Sequence, residues 1–209
     1  MSTVRSLTPE RAQEILRDGG LAIDLRPVDT YLAGHVAGSI PLLFEAGPGL
    51  GGRARDLLPL DARLLLLDDG VSPLEKAADA FRGKGFDVVG SFAGGVAGWP
   101  GGSVATPTIA LADARDVLAL VDVADPGTLV PPEHGVGARI PADRLWTGAG
   151  ELGRNWDLGV LAGWGVRAAV AIGILEHLGY TKLTFVRTRS PGAHPPTAGS
   201  LVFRAGGPA

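Results

Sequence analysis

Between Arg11 and Arg17 apolar residues recur at helical spacing behind Ser6-Leu7-Thr8-Pro9-Glu10. This predicts a helix with Thr8 as N-cap and Pro9 in its first turn, stopped by Gly19-Gly20. Leu21–Leu25 is a short unbroken apolar run bounded by Gly and Pro, the pattern of a strand buried on both faces of a parallel sheet; Leu64–Leu67 is a second. Between Pro73 and Gly83 the apolar positions Leu74, Ala77, Ala78 and Phe81 return to helical spacing, and Phe86–Val89 supplies another strand. Strand alternating with helix predicts an α/β fold.

Gly94–Thr108 is dense in Gly, Pro and small residues and has no apolar period, so a domain boundary is expected there. After it the order returns: a strand over Ala119–Val123, a loop, a strand over Leu158–Leu161, a helix over Arg167–Leu178 and a strand over Leu183–Val186. Spacings repeat as well. Asp24 and His35 are 11 residues apart and Asp122 and His134 are 12, while Asp68 to Gly85 and Ala162 to Gly179 are both 17. A chain that repeats order and spacing reads as an internal duplication. The expected units are residues 1–103, residues 104–189 and a Pro/Gly/Ala-rich tail over 190–209, in which Leu201-Val202-Phe203 is a candidate edge strand.

Composition narrows the chemistry. The chain has 209 residues, 45% of them hydrophobic, with 32 Gly and 16 Pro, which describes a loop-rich globular protein. It contains no cysteine, which excludes disulfides, thiolate metal sites and a cysteine nucleophile. A net charge of −3 with both signs interspersed gives no reason to expect nucleic acid or a membrane as partner. Met1–Leu16 lacks an apolar targeting core, and the apolar stretch Gly159–Leu175 is short and broken by Arg167, so a cytoplasmic location is expected.

Asp24-Leu25-Arg26, Tyr31, Gly34-His35-Val36-Ala37-Gly38-Ser39-Ile40-Pro41 and Gly94-Gly95-Val96-Ala97-Gly98-Trp99 together resemble the signature of the rhodanese-like domain family. The second half resembles it more loosely, through Asp122-Val123, His134, Gly137-Ala138, Ile140-Pro141 and Gly165-Val166-Arg167-Ala168. The resemblance implies two tandem modules, each a parallel sheet flanked by helices, as in the two-domain thiosulfate and mercaptopyruvate sulfurtransferases. It also implies a reactive cysteine opening a Cys-x-x-Gly-x-Arg-Ser loop, whose N–H groups and helix N-terminus cradle an anion and stabilise the thiolate.

Aligned on the Gly at offset 17, that cysteine position is Asp68 in the first module and Ala162 in the second. Neither can hold a persulfide, so no catalytic residue is assigned. The first loop, Asp68-Asp69-Gly70-Val71-Ser72-Pro73-Leu74, puts two carboxylates where the family holds an anion and is expected to repel anions. The second, Ala162-Gly163-Trp164-Gly165-Val166-Arg167-Ala168, keeps the Gly and the Arg; Gly163, Trp164, Gly165, Val166 and Arg167 are the candidate anion-binding residues.

Single residues carry competing readings. Asp68 and Asp69 suit an acid/base or metal pair, or Asx turns that cap the next helix. His35 and His134 fall where the family's histidine is structural. Asp24 and Arg26 read as an internal ion pair, not repeated in the second half, where Ala124 replaces the arginine. Trp164 either closes a pocket or packs against the other module. Gly49–Gly52 does not follow a strand, which argues against a dinucleotide loop. The favoured reading is a non-catalytic tandem protein that binds a small oxyanion, a sulfur-containing anion or a protein partner, without cofactor or metal. The alternatives are a sulfurtransferase whose nucleophile is replaced at Ala162, and a metal-dependent hydrolase using Asp68 and Asp69.

Overall fold

In the computed structural model, residues 3–44, 49–114, 118–125, 136–162 and 165–188 are described. His134, Gly163, Trp164 and the tail from Ser190 onward lie outside them. Helix α1 (Pro9–Arg17) starts as its sequence dictates: the Arg11 N–H donates to Thr8 Oγ1 at 3.3 Å, and Ala12 and Ile15 form the buried face. Strand β1 (Leu21–Asp24), α2 (Val28–Ala33), β2 (Ile40–Pro41), α3 (Gly49–Leu57), β3 (Arg63–Leu67), α4 (Leu74–Arg82) and β4 (Asp87–Phe92) follow. These strands form one parallel sheet in the order β2-β1-β3-β4. The apolar runs are unbroken because helices cover both sheet faces.

The second half contributes β5 (Thr108–Ala110), α5 (Leu111–Ala114), β6 (Ala119–Asp122), β7 (Ala138–Arg139), α6 (Leu145–Gly148), β8 (Leu158–Leu161), α7 (Gly165–His177) and β9 (Leu183–Arg187). Its parallel sheet runs β5-β9-β8-β6-β7. Read outward from β1 and from β6, the two sheets have the same order, and the place β5 takes beside β9 is taken beside β4 by an isolated Ser6–Ser91 bridge. The α/β class and the two parallel sheets agree with the sequence expectation of two such modules.

Three features differ from the sequence pattern. Helix α3 forms despite its glycines, one of which permits close packing: a Cβ at Gly51 would lie 2.3 Å from the Ala80 carbonyl oxygen of α4. Helix α7 begins at Gly165, two residues earlier than its apolar pattern suggests, and its residues from Ala168 to Ile172 are all buried. Its middle, residues 168–175, is apolar on every face because the helix packs on β8 and β9 with one side and on β2 and α2 of the first half with another. One hydrophobic cluster therefore runs through both halves. The connecting segment is held by each in turn: Thr106 N–H donates to the Leu32 carbonyl at 2.9 Å, and the Pro107 carbonyl accepts from Phe185 N–H at 2.8 Å. No helix among the described residues is long and apolar enough to cross a membrane.

Candidate functional site

Parallel register places the two sheet ends in correspondence. Asp24 stands opposite Leu67 and Asp122 opposite Leu161, so Asp68 and Ala162 are the residues that leave equivalent strands. Both aspartates organise their strand ends alike: Asp24 Oδ1 accepts the Arg26 N–H and Asp122 Oδ1 accepts the Ala124 N–H, each at 3.0 Å. Asp24 pairs with Arg26 at 2.7 Å. The expectation that this pair is unique to the first half is corrected here. Asp122 lies 3.7 Å from Arg139, a cation supplied by the neighbouring strand β7 instead of by the position two residues on.

The first loop has closed on itself. Asp68 Oδ1 accepts the Gly70 N–H at 2.8 Å; Asp69 Oδ1 accepts the Val71 and Ser72 N–H groups at 2.9 and 2.6 Å, and its Oδ2 takes the Ser72 hydroxyl at 2.8 Å. Burial alone would raise the Asp69 carboxyl, but the hydrogen bonds from Ser72 and Val71 outweigh it and hold the group below its usual range. The N–H groups that would receive an external anion are thus engaged by a tethered carboxylate. These are the Asx turns expected from Asp-Asp-Gly, although they brace the loop and not the helix, since α4 has Pro73 as its N-cap and no side-chain capping bond. Among the described residues no group of three or more His, Asp or Glu side chains could hold a metal.

Asp69→Ala should cost about 1 kcal/mol, the usual scale for a lost capping carboxylate. Because the folded-state carboxyl is depressed, its contribution is full above the ordinary carboxylate range and lost as pH falls through the lowered value. Urea midpoints measured at neutral and acidic pH should therefore converge for wild type and variant as the pH drops; a constant gap would show that the charge is not involved.

In the second loop Ala162 is buried, 1% exposed, and its carbonyl accepts the Thr188 hydroxyl at 2.9 Å. Gly163 and Trp164 are outside the described residues. Gly165 opens α7, Val166 is partly exposed, and the Arg167 guanidinium lies 2.6 Å from the Asp125 carboxylate, with both side chains a third to a half exposed. The arginine faces solvent but is already engaged.

His35 is fully buried and stacks on Tyr31 at 4.0 Å. Its Nδ1 meets the Tyr31 carbonyl at 3.0 Å and its Nε2 meets both Glu176 carboxylate oxygens, at 3.1 and 3.0 Å. Glu176 also accepts the Gly38 N–H at 2.9 Å. The Tyr31 phenol, pushed well above its usual range by burial and then by the nearby Glu176 and Asp24 charges, donates to the Ser39 carbonyl at 2.8 Å. His35 thus fastens the first half to α7 and is placed for structure, not for catalysis. Sequence inspection missed Glu176; its one sign is a lone acid near the end of an apolar helix.

A family model described as the rhodanese-like domain matches residues 8–101. Residues 8–101 are a rhodanese-like domain. The match spans the first sheet, both Asp68 and Asp69, and the Gly94–Gly98 turn. Three solved structures are similar to the chain, each with a TM-score of 0.40. They are the Alr3790 protein from Anabaena sp. (22% identity over 46% of this chain and 79% of that one), the thiosulfate sulfurtransferase from Pseudomonas aeruginosa (18%, 90% and 44%) and the 3-mercaptopyruvate sulfotransferase SseA from Escherichia coli (19%, 88% and 98%). No curated protein matches the chain. This rhodanese-like domain has no cysteine, and neither does the rest of the protein.

Proposed function

We propose that the chain is a non-catalytic rhodanese-like protein that works by binding, and that its ligand is a small oxyanion held at the second loop. The observation that carries this reading is the contrast between the loops. In the first, the Asp69 carboxylate occupies the N–H groups. In the second, the N-terminal turn of a 13-residue helix presents Arg167 to solvent, paired with a half-exposed aspartate that an anion can replace. Sulfur transfer needs an atom that can be persulfidated, and Asp68 and Ala162 supply none.

Titration with sulfate and thiosulfate, followed by amide shifts of Val166 and Arg167, should saturate. Arg167→Ala should weaken binding about tenfold, the scale of one charge-assisted hydrogen bond, and Asp125→Asn should tighten it by removing the competing anion. Unchanged binding in Arg167→Ala, or shifts centred on Gly70–Ser72, would contradict the assignment.

A further inference from the structure

One cavity of the protein lies apart from the two loops. It has a volume of about 490 Å³ and opens at the seam between the halves, at the end of the second sheet remote from Ala162. Strand β9 separates them: Leu183 and Thr184 at its start line the cavity, while Thr188 just past its end bonds the Ala162 carbonyl. At about 3.3 Å per residue the two places are roughly 13 Å apart. The volume falls within the range of ordinary small-ligand pockets, about 300–1,000 Å³.

Polar groups from three segments meet there: Thr106 and Pro107 of the connecting segment, Glu176 of α7, and Asp157, Lys182 and Thr184 around the starts of β8 and β9. Thr106 itself is buried, and its main chain is held by the first half through Leu32, so the connecting segment forms a fixed wall of the cavity. Asp157 and Lys182 are exposed and carry opposite charges. Neither forms an ion pair among the described residues, and the Lys182 ammonium makes only a long 3.4 Å contact with the Asn155 carbonyl. Glu176 adds a second carboxylate, 15% exposed, whose hydrogen bonds to His35 and Gly38 fix it in place. One cation and two carboxylates around a half-open cavity complement a ligand that carries both signs.

We infer that this cavity binds a small zwitterion of amino-acid size, its ammonium group against Asp157 and Glu176 and its acid group on Lys182. A purely anionic ligand meets two carboxylates, and a purely cationic one leaves Lys182 unanswered. Because the cavity wall includes both halves, the ligand bridges them and stabilises the folded pair.

The test uses β-alanine, propionate and propylammonium as probes on the full chain, followed by the amide shifts of Thr106, Thr184 and Leu183. β-Alanine should give saturable shifts, with propionate and propylammonium each about tenfold weaker, the effect of one charged hydrogen bond. Lys182→Gln should bring β-alanine down to the level of propylammonium, and Asp157→Asn, an exposed position, should weaken it toward the level of propionate without moving the melting temperature of the free protein. Three results would overturn the inference: no saturable shift with any probe, equal binding of β-alanine and propylammonium, or wild-type binding in both variants. Sulfate added at the second loop should leave the response intact, which separates failure here from failure of the oxyanion assignment.

Discussion

Gly173→Val should destabilise the protein by about 3 kcal/mol or more, lowering the melting temperature by roughly 6–12 °C. Gly173 sits in the interior of α7, where glycine costs about 1 kcal/mol relative to alanine. It is present because the first half comes so close: a Cβ there would lie 2.2 Å from the Ser39 carbonyl oxygen, 3.1 Å from the Tyr31 hydroxyl and 3.2 Å from Ile40 Cα. Two of these neighbours are main chain, so the segment leading into β2 must shift, taking with it the Tyr31–Ser39 hydrogen bond. Alanine should show a smaller loss with the same sign. Gly52 provides the control, since it lies in α3 with nothing within 4 Å of a Cβ, and Gly52→Ala should be neutral or stabilising. If Gly173→Val and Gly52→Ala melt alike, α7 is not packed against the first half as described.

Glu176→Ala should cost about 3 kcal/mol, because it orphans two groups at once. The Gly38 N–H loses its acceptor, and His35, which is fully buried, loses the partner of its Nε2. Glu176→Gln should recover part of the loss: the amide oxygen still accepts from Gly38, but the neutral group answers His35 less well. Urea denaturation checks the order wild type, Gln, Ala. A loss in Glu176→Ala no greater than that of an exposed acid such as Glu10 would show that the contact between halves does not depend on this carboxylate.

Much of the scaffold was readable from the chain because its signals are local. Strands β1, β3 and β8 are apolar runs that only a doubly covered parallel strand requires, and the Thr8-Pro9 start of α1 is a local capping rule. Asp-Asp-Gly likewise announced its turns. What stayed hidden depends on partners distant in sequence. Arg139 reaches Asp122 through strand pairing, so looking two residues along the chain finds only Ala124. Glu176 meets His35 across the contact between halves, and nothing around either residue names the other. Helix α7 lacks an apolar period because two surfaces bury it, and α3 carries glycine at position 51 because Ala80 leaves no room for a side chain there. In the site itself, the missing cysteine was plain at once. That the Asp69 carboxylate takes up the loop's own N–H groups, and that Asp125 engages Arg167, required the fold.

The central claim is that this protein, whose residues 8–101 match the rhodanese-like domain, does not transfer sulfur, and cyanide-dependent thiocyanate formation from thiosulfate by the purified 209-residue chain tests it most directly. The expected rate equals that of buffer alone at every protein concentration, because no side chain can carry the sulfur between donor and acceptor. Thiocyanate production that rises in proportion to protein would contradict the account.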